Sequence, residues 1–225
     1  DILVYLSGER TAFFYLLMSI ITIIFFIKDM RMYRIIIFII FIILIIIISL
    51  SNSNIKNRMV DRSLEQITQH GSLNLFSIQH QAYYESAYKI FLDNMVIGIG
   101  PKMFREFCKK NKYNIIPEMD QSQNGCSTHP HNTYLQLLSE IGLIGSIPII
   151  FLFLSCIYYF IKKFISIFNF NKTDQYINDS VITCLVLAIT ITLWPLAPTG
   201  NFFHNWLSAL YFLPVGMILY VFNHK

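Results

Sequence analysis

Residues 31–50 read Arg31-Met32-Tyr33-Arg34-Ile35-Ile36-Ile37-Phe38-Ile39-Ile40-Phe41-Ile42-Ile43-Leu44-Ile45-Ile46-Ile47-Ile48-Ser49-Leu50. From Ile35 to Leu50 the run is almost wholly Ile, Leu and Phe and carries no charge, close to the ~20 apolar residues that cross a bilayer as a helix. Lys28, Arg31 and Arg34 punctuate the turn just before it. Upstream lies another apolar run, Ala12 to Ile27, entered through Ser7-Gly8-Glu9-Arg10-Thr11. Two spans joined by a basic turn place that turn in the cytoplasm by the positive-inside rule. Arg10 and Ser51 then fall on the far side, periplasmic in a Gram-negative cell.

Composition agrees with this start. Of 225 residues, 55% are hydrophobic and only 13% charged, with a mean hydropathy of +0.53. A soluble domain carries about 25% charged residues. The expected fold class is therefore an all-α integral membrane protein. The net charge of +4 is small and scattered, which argues against a nucleic-acid partner and for a lipid bilayer. The chain opens on Asp1 with no leader pattern, the expectation for the C-terminal part of a longer membrane protein.

Three regions follow. Residues 1–50 hold two transmembrane helices, residues 51–142 one large, mostly helical periplasmic loop, and residues 143–225 three more transmembrane helices, about five in all. The long polar stretch exceeds the ~60 residues over which loop charge reports orientation, so its lysines do not vote on topology. Within it, Ser51–Asn54 reads as a loop. Ile78 to Asn94 reads as a helix, with Tyr83, Ala87, Ile90 and Phe91 at helical spacing. Gly98-Ile99-Gly100-Pro101 breaks it, Lys102 to Lys110 reads as a further short helix, and Asn111 to Thr128 as an irregular surface loop. Leu143 to Ile161 spans next and ends at Lys162-Lys163, with Lys172 following, again cytoplasmic. Val181 to Leu196 returns outward, Pro195 to Asn205 turns, and Trp206 to Phe222 comes back to Lys225.

The chemistry concentrates in Ser127-Thr128-His129-Pro130-His131-Asn132-Thr133-Tyr134-Leu135-Gln136, where a helix begins. Asn132 and Thr133 both suit an N-cap, and Thr133 with Gln136 reads as a capping box. The helix end faces His129 and His131 with free N–H groups and its positive dipole, which attracts phosphate and disfavours imidazolium. A neutral histidine there could serve as a general base, or merely cap the helix. Arg10, at the outer end of a span, either snorkels or holds an anion, and its planar fork suits phosphate. Cys108 and Cys126 both lie in the long outer region, where oxidising conditions allow a disulfide that fixes the loop before His129. Cys156 and Cys184, inside spans, read as small packing residues. A zinc site on His129 and His131 would need His80, His204, Glu140 or Asp120 to complete it, and no spacing demands that set. No metal or cofactor is expected, and no P-loop, dinucleotide fingerprint or nucleophile elbow appears.

The run His131-Asn132-Thr133-Tyr134-Leu135-Gln136 through Glu140-Ile141-Gly142-Leu143-Ile144-Gly145 resembles the C-terminal motif of the O-antigen ligase and polymerase superfamily. Ser7-Gly8-Glu9-Arg10-Thr11-Ala12 resembles that family's small-residue-plus-arginine motif. Asp93-Asn94-Met95-Val96-Ile97-Gly98-Ile99-Gly100-Pro101 with Phe104 resembles its glycine-rich loop segment. The resemblance implies a metal-independent, inverting glycosyl transfer at the periplasmic face of the bacterial inner membrane. The donor would be a glycan on undecaprenyl pyrophosphate. The acceptor would be lipid A–core for a ligase, or another glycan for a polymerase. On this resemblance His131 is the general base and Arg10 holds the donor pyrophosphate. His129, Asn132, Gln136 and His80 are placed at the substrate; His129 either assists His131 or positions the loop, and where family members often carry an arginine this chain offers His80 or the distant Arg62. A transporter of lipid-linked glycans is the rival of another class, but such proteins place ionisable groups near mid-membrane.

Overall fold

A computed structural model of the protein describes residues 2–68, 76–116, 124–168 and 180–223. Every regular element among them is helical. They are α1 (Ile2–Leu6), α2 (Arg10–Phe26), α3 (Arg31–Ser51), α4 (Ser53–Lys56), a π-helical turn (Asn57–Asp61), α5 (Arg62–Thr68), α6 (Ile78–Asp93), α7 (Phe104–Phe107), α8 (Thr133–Phe168), α9 (Ser180–Thr192) and α10 (Asn205–Asn223). Two of them, α3 and α8, are long and apolar enough to cross a membrane, while α2, α9 and α10 are shorter apolar helices. The chain divides into two compact units, one of residues 1–74 with 158–191, the other of residues 75–157 with 192–225.

In the first unit the basic turn does structural work. Met30 enters the left-handed region at φ 52° to reverse the chain. Arg31 Nη2 then donates to the Phe25 carbonyl at 2.8 Å, and Arg34 Nη1 to those of Ile23 and Ile27 at 3.2 Å. These arginines add donors to carbonyls at the end of α2, of which Ile23 already accepts the Ile27 N–H, and offset its negative dipole end. Ile36, Ile37, Ile40, Ile43 and Ile47 along α3 stay exposed on the protein, an apolar face that suits lipid rather than water.

Two expectations change here. Ser51–Asn54 is not a loop: α3 runs through Ser51, and Asn52 caps the next helix, its Oδ1 accepting the Asn54 and Ile55 N–H groups at 3.1 and 3.2 Å. One asparagine thus lets two helices meet without a linker. Nor does the helix end at Lys162-Lys163; α8 continues to Phe168. Lys163 is buried, with its ammonium on the Thr183 hydroxyl of α9 and 5.7 Å from the Tyr159 ring centroid.

In the second unit α6 packs Ala87 and Ile90 against Phe104, Cys108 and Tyr113. The Lys102–Lys110 helix shrinks to the single turn Phe104–Phe107, because Lys102 is left-handed at φ 64° and cannot join it. Helix α8 is two helices joined across a kink at Gly142 (φ 66°, ψ −171°). The break frees backbone groups, and residues 95–100 take them up. Ile99 and Gly100 N–H groups donate to the Ser139 and Glu140 carbonyls at 3.1 and 2.7 Å, while Leu143 and Ile144 donate to Met95 and Val96 at 2.8 and 3.3 Å. Such an approach needs bare backbone on both sides. A Cβ on Gly98 (φ 69°) would lie 2.5 Å from the Glu140 carbonyl carbon, and one on Gly142 would lie 2.4 Å from that of Val96.

Glu140 completes the joint. It is fully buried; one carboxylate oxygen accepts the Phe104 N–H at 2.9 Å and the other accepts from Gln136 Nε2 at 3.0 Å. Substituting Ala at Gly98 or Gly142 costs about 1–3 kcal/mol from the positive-φ backbone alone, before any steric displacement. Thermal melts in detergent are expected to drop by several degrees for each. Gly216→Ala in α10, where nothing lies within 4 Å of the new methyl, is expected to leave the melt unchanged or raise it.

Candidate active site

The histidine loop runs from Cys126 to the start of α8 and is held at both ends. Cys108, in the core beside Phe104, is joined to Cys126 by a disulfide with Cα atoms 5.0 Å apart. At the other end Asn132 is the N-cap, its Oδ1 accepting the Tyr134 and Leu135 N–H groups at 3.0 and 3.1 Å. The Thr133–Gln136 capping box does not form. With Asn132 as cap, Thr133 becomes the first helical residue and Gln136 sits one position too deep. Thr133 Oγ1 instead donates to Thr199 Oγ1 at 3.0 Å. Gln136, almost fully buried, donates to Glu140 and Asn201 and accepts the Phe202 N–H at 2.9 Å. Both of its N–H groups therefore serve the protein's own frame.

Between these anchors His131 adopts φ 56°, a conformation a non-glycine residue holds only when its surroundings insist. Its carbonyl accepts the Thr199 N–H at 2.9 Å. Its ring stacks on Tyr83 with centroids 5.5 Å apart, meets the His80 ring edge-on at 5.5 Å, and lies 4.1 Å from the His129 ring. His131 Nε2 is 3.3 Å from Ser127 Oγ. His129 donates from Nε2 to the Thr199 carbonyl at 3.2 Å, which assigns the proton to that nitrogen and leaves Nδ1 to accept from Thr128 Oγ1 at 3.0 Å. His80 begins α6 with Nδ1 2.8 Å from its N-cap Ser77 Oγ.

Burial lowers the pKa of all three histidines. For His129 burial and then the proximity of His131 bring it down to about 4. For His131 burial is the cause, and for His80 burial followed by the charge His131 would carry. The cluster is thus neutral near pH 7, and a proton on one ring discourages protons on its neighbours. A half-buried imidazole with an available lone pair can accept a proton from a hydroxyl.

The structure brings His80, His129 and His131 together, with Asn132 and Gln136 behind them. Arg10 belongs to the first unit, where it opens α2 exposed to solvent, with Nη1 3.4 Å from Ser63 Oγ. Beside it Glu9 pairs with Arg58 at 3.3 Å, and the Arg58 side chain lies against Gly8. Among the described residues no group of three His, Cys, Asp or Glu side chains is arranged to hold a metal; Asp120 lies outside them.

The sequence reads as a span to Leu196 and a turn from Pro195 to Asn205, whereas α9 stops at Thr192 and the connection after it has partners that reading did not supply. This connection is bonded along its length to the start of α8: Tyr134 Oη donates to the Leu193 carbonyl at 2.7 Å and Asn132 Nδ2 to that of Pro195 at 2.9 Å, besides the bonds at Thr199, Asn201 and Phe202. Only Pro195, Pro198 and Gly200-Asn201 hinted at it, and they mark irregular backbone rather than a partner.

The model of the O-antigen ligase family matches residues 2–150, about two thirds of the chain, and the protein belongs to that family. No curated protein and no solved structure matches it. Membership makes it an enzyme of ligase or polymerase type, one that works on lipid-linked glycans and polysaccharide, in a family of bacterial inner-membrane proteins.

Two measurements follow from the loop. An unfolded histidine takes up a proton near pH 6.5, whereas folded His129 resists until about 4. The unfolded state binds more protons in that window, so stability is expected to fall as pH drops through it and to level off below. Melting temperatures compared across that range should show the decline, reduced in His129→Gln. Thiol labelling of the native protein should modify Cys108 and Cys126 only after reduction; two equally reactive thiols beforehand would contradict the bridge.

Proposed function

We propose that this protein is an O-antigen ligase-like inverting glycosyltransferase, moving a glycan from undecaprenyl pyrophosphate to an acceptor hydroxyl on lipid A–core or another polysaccharide. The observation that carries the reading is His131: a neutral, half-buried imidazole held in a left-handed loop at the start of a helix, within the stretch the family model matches. In this reading the acceptor hydroxyl gives its proton to His131 as its oxygen bonds to the anomeric carbon. The bond from that carbon to the pyrophosphate oxygen breaks on the opposite face, inverting the centre. The bonding electrons leave with the pyrophosphate. Arg10 holds the pyrophosphate by charge-assisted hydrogen bonds, so that developing negative charge meets a fixed cation. His80 and His129 border the same loop on the acceptor side.

The proposed topology has five spans: α2, α3, the part of α8 after Gly142, α9 and α10. Residues 51–142 then form the periplasmic loop that carries the base. The apolar face of α3 and the basic turn at Lys28–Arg34 support this arrangement. The chemistry asks for no metal, since proton transfer and leaving-group stabilisation are both assigned to side chains.

The test uses the full-length protein in liposomes with a purified lipid-linked glycan donor and candidate acceptors. His131→Ala is expected to lose about 10²–10⁴-fold in turnover, and wild-type transfer should survive EDTA. Wild-type activity should rise with pH along a limb below the ordinary histidine value and be flat near neutrality, because only the neutral imidazole can act. A fully active His131→Ala variant would reduce that residue to a loop element and overturn the assignment.

A further inference from the structure

We propose that His129 is a positioning residue, and that the connection between α9 and α10 is the element against which it sets His131. The family match ends at residue 150, so nothing in the matched region assigns this connection a part in the reaction. The inference rests on the reading of His131 as the base.

Both ring nitrogens of His129 are committed. Nε2 donates to the Thr199 carbonyl and Nδ1 faces the Thr128 hydroxyl, leaving no lone pair aimed at a substrate. The Thr199 N–H in turn donates to the His131 carbonyl. Two bonds of opposite sense thus join one residue of the connection to both histidines, with buried Pro130 between them. Proline fixes its own φ and restricts the residue before it, so the loop has little freedom except at His131. There the Thr199 N–H at 2.9 Å holds the peptide of a left-handed residue, with the longer Tyr84 hydroxyl contact at 3.5 Å on the same carbonyl.

The connection is itself anchored, so the bracket has something to push against. Thr133, Asn132, Tyr134 and Gln136 bond to Thr199, Pro195, Leu193, Asn201 and Phe202 along its length. Burial keeps His129 neutral down to about pH 4, so the hydrogen-bond pattern persists across the range in which His131 gains and loses its proton. The assignment divides labour between adjacent rings: one moves a proton, the other keeps its own.

The experiment compares His129→Phe and His129→Gln with wild type, using the full-length protein in liposomes and the same purified lipid-linked glycan donor. Phenylalanine keeps a ring without a donor; glutamine keeps an N–H donor of similar reach. His129→Phe is expected to lose about 100-fold in kcat, the scale of a small misplacement of a catalytic group, with KM for donor and acceptor unmoved. His129→Gln should recover most of that loss. In both, residual activity should keep the ascending pH limb of wild type, since His131 still provides it. Amide exchange at Thr199 supplies a readout without turnover, faster in the Phe variant and near wild type in the Gln variant; it decides the matter from the Gln variant even where the Phe variant does not fold.

Loss of the pH limb in both variants would make His129 the base and overturn the proposal. So would a raised KM at unchanged kcat, which marks a substrate contact, or full activity in His129→Phe with the Thr199 amide still protected. An active His131→Ala would instead defeat the underlying reading, while Thr199 exchange still judged the bracket.

Discussion

The second unit depends on a close approach of two backbones. Where α8 breaks at Gly142, the segment through Gly98 lies against it, and four backbone hydrogen bonds repair what the break left open. Buried peptide groups without partners are costly, so a break of this kind persists only when another strand of chain completes it. Two glycines make that geometrically possible, and Glu140 extends it sideways to Phe104 and Gln136. From Phe104 the core leads to Cys108 and the disulfide; from Gln136 the frame leads to Asn201 and Phe202. The histidine loop is suspended between these two branches.

This arrangement explains how a histidine can be kept neutral yet available. Its ring is half buried among His80, Tyr83 and His129, which removes water without supplying a carboxylate that would favour the charged form. Its backbone is fixed by partners distant in sequence. Burial lowers the pKa, while the hydrogen-bonded frame fixes the peptide that carries the ring.

Much of this was legible in the residues. The apolar runs, the basic turn and the helix read from Ile78 to Asn94 announced themselves through composition and period. So did the helix beginning after Asn132. The capping box misled because Asn132 and Thr133 are comparable caps, and a shift of one residue reassigns every side chain in the first turn. Ser51–Asn54 misled because a polar cluster between helices usually marks a loop, whereas here Asn52 closes one helix and opens the next. The partners of residues 193–202 were invisible for a deeper reason. The contacts these residues make to the loop run largely through main-chain groups of Leu193, Pro195 and Thr199, carbonyls that every residue carries and one N–H that only proline lacks. No side-chain pattern advertises a carbonyl.

The two brackets on the histidine loop also differ in when they can close. Cys108 and Cys126 are both made before α8, so their bond can form as soon as that segment meets an oxidant. Thr199 is made 73 residues after Cys126, on the order of ten seconds later at ordinary rates of synthesis. Until then the loop is held by the disulfide and by the Asn132 cap, without its Thr199 bonds. The His131 carbonyl and the His129 ring thus gain their Thr199 partners only once the connection after α9 has been made.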